Sequence, residues 1–292
     1  MRYTLTSDEL VLNVNSKGAE LCSIKNKQGY EYLWKGDPEI WPRQAPVLFP
    51  IVGKLKDNRY SFGDSIYTMS QHGFARDSEY SLVKQEPQEL VFELNSDVIS
   101  RATYPFDFRL TLKYVLKSNV LLCSYEVKNT GDDTMYFSIG AHPGFNILLS
   151  KHHGKCYPYL EFMKSELIRS NLSGGLLSGE KHRLILSESR LSIHAELFKN
   201  DALVMEGGQI EGLSLYLDAE GRKIDLSCSG WPYFGIWSKP DPKDATLKFL
   251  CLEPWFGVAD NINHDGLLKN KSGILHLDAD KTFDAAFELS FF

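Results

Sequence analysis

Nowhere in the 292-residue chain is there an uninterrupted apolar run of the about 18 residues a membrane span requires, so no span is expected. Nor is there a basic run. The net charge is -6, from 32 basic and 38 acidic residues, which argues against nucleic acid as a partner. The first residues, MRYTLTSDELVLNVNSKG, are polar and alternating, unlike a signal or transit peptide, so a cytoplasmic location is expected. Cysteine is sparse and dispersed: Cys22, Cys123, Cys156, Cys228 and Cys251 make an odd count with no Cys-x-x-Cys pair. They read as reduced thiols, mostly in apolar runs that mark inert core positions. Two matches to the glycosylation pattern, at Asn171 and Asn270, read as chance without a secretion signal.

Chemical signatures are also missing. There is no Gly-x-Ser-x-Gly elbow, no phosphate-cradling glycine loop and no dinucleotide fingerprint. The histidines do not fall at metal-ligand spacings. His152 and His153 are adjacent, and in a strand they would face opposite ways, so a solvated loop is the expectation. Neither metal nor cofactor is expected. Helical periodicity is scarce, with one turn expected at 37–41 and a short helix at 187–198.

Period-2 alternation is abundant. Phe108, Leu110, Leu112, Tyr114 and Leu116 alternate with Arg109, Thr111, Lys113 and Val115, a half-buried strand. Residues 121–127 follow after Lys117-Ser118-Asn119, which predicts a hairpin. A second hairpin is predicted from Leu213, Leu215 and Leu217, a turn at 218–221, and Ile224, Leu226 and Cys228. Residues 283–292 read as a closing strand, and Gly174-Gly175 and Gly207-Gly208 as loops. Strands recurring every 8–12 residues or so, with no linker or repeat, predict a single all-β domain over 1–292, an antiparallel sandwich with few short helices.

Four stretches combine strand character with chemistry. Residues 136–146, YFSIGAHPGFN, begin as a strand and turn polar at His142, which Pro143 pushes toward an extended conformation. Gly140 and Gly144 leave bare backbone through which something could approach the imidazole. Taken alone, His142 reads as a histidine packed under a turn. The other stretches reverse that reading. Residues 45–60, APVLFPIVGKLKDNRY, run from apolar to basic at Gly53. Residues 71–77, QHGFARD, crowd an amide, an imidazole, an aromatic ring, a guanidinium and a carboxylate together. Residues 250–257, LCLEPWFG, end a core strand in Glu253 beside Trp255 and Phe256, surroundings that raise a carboxyl toward the range of a useful base. Rings that stack on C–H faces, together with acids and amides that bind hydroxyls, suit a sugar.

On these segments, with LFKNDALV (197–204) and LEPWFGVAD (252–260), the chain resembles the aldose 1-epimerases, galactose mutarotase-like proteins, and within them a LacX-like branch. The resemblance implies a large antiparallel β-sandwich and cofactor-free interconversion of the α and β anomers of an aldohexose, neutral or phosphorylated. It implies His142 as general acid and Glu253 as general base, starting protonated and ionised respectively. His72 and Asp201 are implied to bind sugar hydroxyls. Lys54 falls where many members carry a substrate-contacting arginine, and a lysine offers a point charge instead of a planar fork. Arg76 is the candidate for the missing guanidinium, and Gln71 a further substrate contact. A non-catalytic carbohydrate-binding or regulatory protein on the same fold is the alternative, and monomer and homodimer stay open.

Overall fold

The protein is described by a computed structural model covering residues 1–152 and 155–292. Side chains from 151 to 156 are excluded, so the adjacent histidine pair and the Cys156 thiol lie outside the described residues. The alternating stretch forms strand Phe108–Lys117, with every second side chain buried from Phe108 to Leu116. It turns back through Ser118-Asn119 into strand Val120–Asn129, with Lys117 opposite Val120. Ser118 supplies the positive φ of 52° that a two-residue hairpin turn demands. The second hairpin, Gly212–Tyr216 with Lys223–Ser227, sets Leu213 opposite Leu226 and Leu215 opposite Ile224. The closing strand, Thr282–Phe291, lies between these two hairpins, pairing with Val120–Asn129 on one side and Lys223–Ser227 on the other. These strands form the middle of a nine-stranded antiparallel sheet that runs from Arg190–Ser192 to Ser81–Glu86.

A second sheet of eight strands packs against it. Its order is Leu176–Ile185, Glu166–Ser173, Leu203–Glu206, Tyr233–Trp237, Phe249–Phe256, Ile139–Ala141 and Val47–Leu48, with Gly144–Asn146 also pairing on Phe249–Phe256. The strand Phe249–Phe256 is buried along nearly its whole length, which explains its continuous apolar run. Leu250 and Leu252 enter the main core between the sheets, with Phe49, Phe108, Phe137 and Leu289. Each such side chain, fully buried, contributes roughly 1.5–3 kcal/mol. Phe249 and Cys251 point the other way, into a cluster with Trp34 and Ile40. Trp255 shares that outer face in a cluster with Val52, Val204 and Val258. Glu253 therefore stands in the interior of a strand, between two apolar clusters, and not at a strand end as its sequence position implied.

Other expectations shift in detail. The 136–146 strand breaks at Ser138: Met135–Phe137 pairs with Leu275–Leu277, and Ile139–Ala141 joins the eight-stranded sheet. Residues 37–41 do form a turn, with the Trp41 N–H donating to the Asp37 carbonyl at 2.8 Å. The helix expected within 187–198 is confined to its last residues, and a short strand precedes it. Arg190–Ser192 pairs with Tyr159–Phe162, and only Ala195–Phe198 coils, as a 3-10 turn. Leu191 and Ile193 are buried with Ser192 exposed between them, the period of a strand. Gly174-Gly175 is the tight turn of a hairpin, with Ser173 opposite Leu176.

Cys22, Cys123, Cys228 and Cys251 are free and buried. Burial pushes the Cys228 thiol up to about 12 and Cys251 well above its ordinary range. All four should therefore resist mild alkylation of the native protein and react once it is unfolded. An intact mass two hydrogen atoms light through a disulfide among them, or alkylation of any one in the folded protein, would contradict this.

Candidate active site

A cavity of about 300 Å³ opens on the outer face of the eight-stranded sheet. That is near the lower end of the roughly 300–1,000 Å³ typical of small-molecule sites. Its floor is the sheet itself, through Val204, Trp237, Glu253 and Trp255. Its walls come from loops carrying Trp41, Gly53, Gln71, His72 and Arg76, from Val258 and Ala259, and from Leu172 and Gly175 of the hairpin.

His142 lies between strands Ile139–Ala141 and Gly144–Asn146, both paired to Phe249–Phe256, and so comes to rest against Glu253. Its Nε2 is 3.2 Å from Glu253 Oε2. The pair is out of hydrogen-bond alignment, for Glu253 Oε2 and His142 Nδ1 are both buried without a partner in the protein. The Trp41 indole stacks on the His142 ring at 5.0 Å, and Trp237 meets it edge-on at 5.8 Å. The bare backbone beside His142 makes room for indoles. A Cβ on Gly140 would sit 2.6 Å from Trp255 Cδ1, and one on Gly144 would sit 2.8 Å from Trp41 Cζ3.

Burial pushes the Glu253 carboxyl well above the usual carboxylate range, and the charge of Asp201 adds to this. Burial lowers the His142 imidazole to about 3, with Arg76 and Arg43 adding repulsion. Both shifts run toward the neutral pair, with the proton on Glu253. This differs from the charged pair that the resemblance implies. Two opposite charges 3.2 Å apart attract, but without hydrogen bonds to the remaining polar atoms that attraction does not offset their desolvation. Moving one proton from carboxyl to imidazole interconverts the two forms at constant net charge.

His72 sits in the left-handed region at φ 69°. Its N–H donates to the Gly53 carbonyl at 2.9 Å, and its Nδ1 accepts the Gly53 N–H at 3.2 Å. That exchange puts the ring proton on Nε2, and burial followed by the neighbouring His142 keeps the ring neutral. Gly53 must be glycine for this contact, because at φ 75° a Cβ would lie 2.6 Å from Ala259 Cα. Arg76 lines the cavity with Nη2 donating to the Gln71 carbonyl at 2.6 Å, while its Nε is buried and unpartnered. Burial, with the repulsion of Arg43 added, lowers its pKa to about 10. Asp77 is engaged chiefly by Arg43, at 3.1 Å, and lies 3.8 Å from Arg76 Nε. Asp201, at φ 76°, lines the cavity from the turn after Ala195–Phe198. Lys54 does not line it. Its Nζ donates to the Gly174 carbonyl at 3.0 Å, tying down the hairpin turn whose next residue, Gly175, does.

The site thus gathers His142, Glu253, His72, Gln71, Arg76 and Asp201 around one cavity and leaves Lys54 behind its wall. A family model described as aldose 1-epimerase matches residues 1–269. The chain belongs to the aldose 1-epimerase family. It is 28% identical to the plasmid-encoded protein LacX of Lactococcus lactis subsp. lactis over 294 residues, 96% of this chain and 97% of that protein. A galactose mutarotase related enzyme from Lactobacillus acidophilus superposes with a TM-score of 0.92 at 34% identity, covering 100% of this chain and 97% of its own. A galactose mutarotase-like protein from Lactobacillus casei gives 0.91 at 28% identity, with both chains covered in full.

Sequence reasoning missed several parts of this aldose 1-epimerase family site. Trp41 and Trp237 form an aromatic box around His142 but stand far from it in sequence, and nothing local ties either ring to the imidazole. The adjacent turn at 37–41 was the available signal for Trp41, whereas strand Tyr233–Trp237, buried at three successive positions, carries no alternation. The contribution of the Gly174-Gly175 hairpin depends on long-range folding of the edge strands and had no local signal. Among the described residues, one buried triplet places metal-capable donor atoms within 4.8 Å of one another: His142, Cys251 and Glu253.

Proposed function

We propose that this chain interconverts the α and β anomers of a neutral aldohexose, with His142 and Glu253 as its acid–base pair. One observation carries the reading. Among the described residues, nine buried side-chain polar atoms lack a partner in the protein. Four of them, on Arg76, His142, Glu253 and Trp255, belong to residues lining this single cavity. Buried polar atoms are normally paired, so such a cluster is reserved for a polar ligand. The indoles offer faces for C–H groups, and the orphaned atoms offer partners for hydroxyls and the ring oxygen.

In the reaction, the proton shift from Glu253 to His142 gives a carboxylate and an imidazolium once bound hydroxyls supply the hydrogen bonds that the free pair lacks. The carboxylate takes the proton of the anomeric hydroxyl as His142 protonates the ring oxygen, and the ring opens to the aldehyde. Rotation about the adjacent C–C bond presents the other face of the carbonyl, and the reverse transfers close the ring. Proton count and charge are unchanged over the cycle. His72, with its proton on Nε2, donates to the sugar; Asp201 accepts from hydroxyls; Gln71 and Arg76 hold the rim. Polarimetry on freshly dissolved α-glucose and α-galactose tests the function directly. Binding of either sugar without faster mutarotation would replace this reading with a non-catalytic carbohydrate-binding protein on the same fold.

Substrate charge follows from the basic residues. Of Lys54, Lys56, Arg59 and Arg76, only Arg76 lines the cavity. Lys54 and Lys56 donate to backbone carbonyls, and Arg59 lies 3.6 Å from Asp57. One guanidinium with Asp201 in the same lining is a poor cradle for a phosphate. Catalytic efficiency on glucose should therefore match or exceed that on glucose 6-phosphate. A phosphate preference above tenfold that weakens with added salt would show that the cavity reads charge.

A further inference from the structure

We propose that His142, Cys251 and Glu253 together form a binding site for a thiophilic divalent cation of the zinc class, which blocks the active site when occupied. The site is independent of the proposed function, while the blocking rests on it.

Cys251 and Glu253 are two apart in strand Phe249–Phe256, so the period of the strand puts both on its outer face, where His142 meets them. One donor atom from each lies within 4.8 Å of the other two. The 3.2 Å between His142 Nε2 and Glu253 Oε2 is close to the ~3.3 Å edge of a tetrahedron built from bonds of about 2.0 Å. Imidazole, carboxylate and thiolate are the ligand types zinc takes, and three protein ligands leave a fourth position, here facing the sugar cavity. Glu253 Oε2 is buried without a partner, as is the second ring nitrogen of His142.

Charge favours occupancy. A divalent cation with one thiolate and one carboxylate is neutral as a unit, the form that an apolar surround tolerates. That surround is present: Trp34, Ile40 and Phe249 pack with Cys251, and Trp41 and Trp237 lie against them. Binding releases two protons, one from the Cys251 thiol and one from the Glu253 carboxyl, while neutral His142 gives a ring lone pair. The cation's charge drives both losses. Once bound, it occupies both members of the acid–base pair, so sugar and cation compete.

The test uses the metal-free protein with Zn²⁺ and Co²⁺ as probes. Wild type should bind one Co²⁺ in equilibrium dialysis and develop a thiolate-to-cobalt charge-transfer band. Zinc at micromolar concentration should inhibit anomer interconversion, reversibly on adding chelator and competitively with sugar. Cys251→Ala should keep its turnover, lose the band and need more than about 100-fold more zinc for half inhibition, since even outer-shell changes cost 10–100-fold. Cys251→Val, which refills the space, should behave alike and covers the case that the alanine variant folds poorly. Equal zinc sensitivity in wild type and both variants, or Co²⁺ bound without the band, would overturn the site. If the metal-free protein had no mutarotase activity, the dialysis and the band would still decide the metal site, and only the proposed function would fall.

Discussion

Glu253→Gln and His142→Asn each reduce α/β interconversion by at least about 10²-fold, the lower end of what one positioned acid or base contributes. Both substitutions keep a polar side chain of similar size and remove the titrating group. Neither should cost much stability. Burial favours the neutral form of Glu253 and its Oε2 is unpartnered, so an amide of the same size abandons no hydrogen bond made there. His142 holds its ring by stacking on Trp41, and asparagine gives up part of that contact while keeping a polar group. The double variant should be only slightly slower than either single one, because two groups that pass one proton between them act as a unit. Circular dichroism and a melting curve establish the fold, and polarimetry the rate. Turnover above about a tenth of wild type in both single variants would remove the pair from the mechanism.

Much of this was legible in the chain, and what was not has identifiable physical causes. Strands such as Phe108–Lys117 and its hairpin partner declare themselves because one face is buried and the other is not. The position of Glu253 within its strand was misread because a strand covered on both faces carries no alternation; its acid looked like an end, when it is the one polar residue on a covered outer face. The resemblance named His142, Glu253, His72 and Asp201, and all four line one cavity. The burial that favours a neutral pair could not be read, because Trp41 and Trp237, which pack on His142, are distant in sequence from both residues. Lys54 illustrates the opposite error. Its basic loop adjoins the site, but its ammonium turns to a backbone carbonyl of the hairpin, a partner made available only by long-range folding.

Lys271→Met destabilises the protein by about 3–5 kcal/mol, the usual cost of stranding one member of a buried ion pair. The Lys271 side chain is 0% exposed and its Nζ lies 3.0 Å from Asp260 Oδ1, itself 1% exposed. The ammonium also donates to the Val258 carbonyl at 2.5 Å. Asp260 in turn ties together three segments of the cavity wall. Its Oδ2 accepts the Lys56 N–H at 2.9 Å, its N–H donates to the Lys54 carbonyl at 2.9 Å, and its carbonyl accepts the Leu177 N–H at 2.8 Å. Methionine fills the lysine's volume but leaves the carboxylate buried with backbone donors and His264 Nδ1 at 3.4 Å as its remaining company. The melting temperature should fall by about 10 °C, taking a few degrees per kcal/mol for a domain of this size. Adding Asp260→Asn should recover part of the loss, since the amide oxygen still accepts the Lys56 N–H and no bare charge remains. Because the walls at Gly53, Val258 and Gly175 rest on this pair while His142 and Glu253 stand on the sheet, residual activity should show a raised KM with kcat nearly kept. Denaturant unfolding of the two variants settles the energetics. A loss below about 1 kcal/mol for Lys271→Met would mean that solvent reaches Asp260 and that the pair does not brace the cavity.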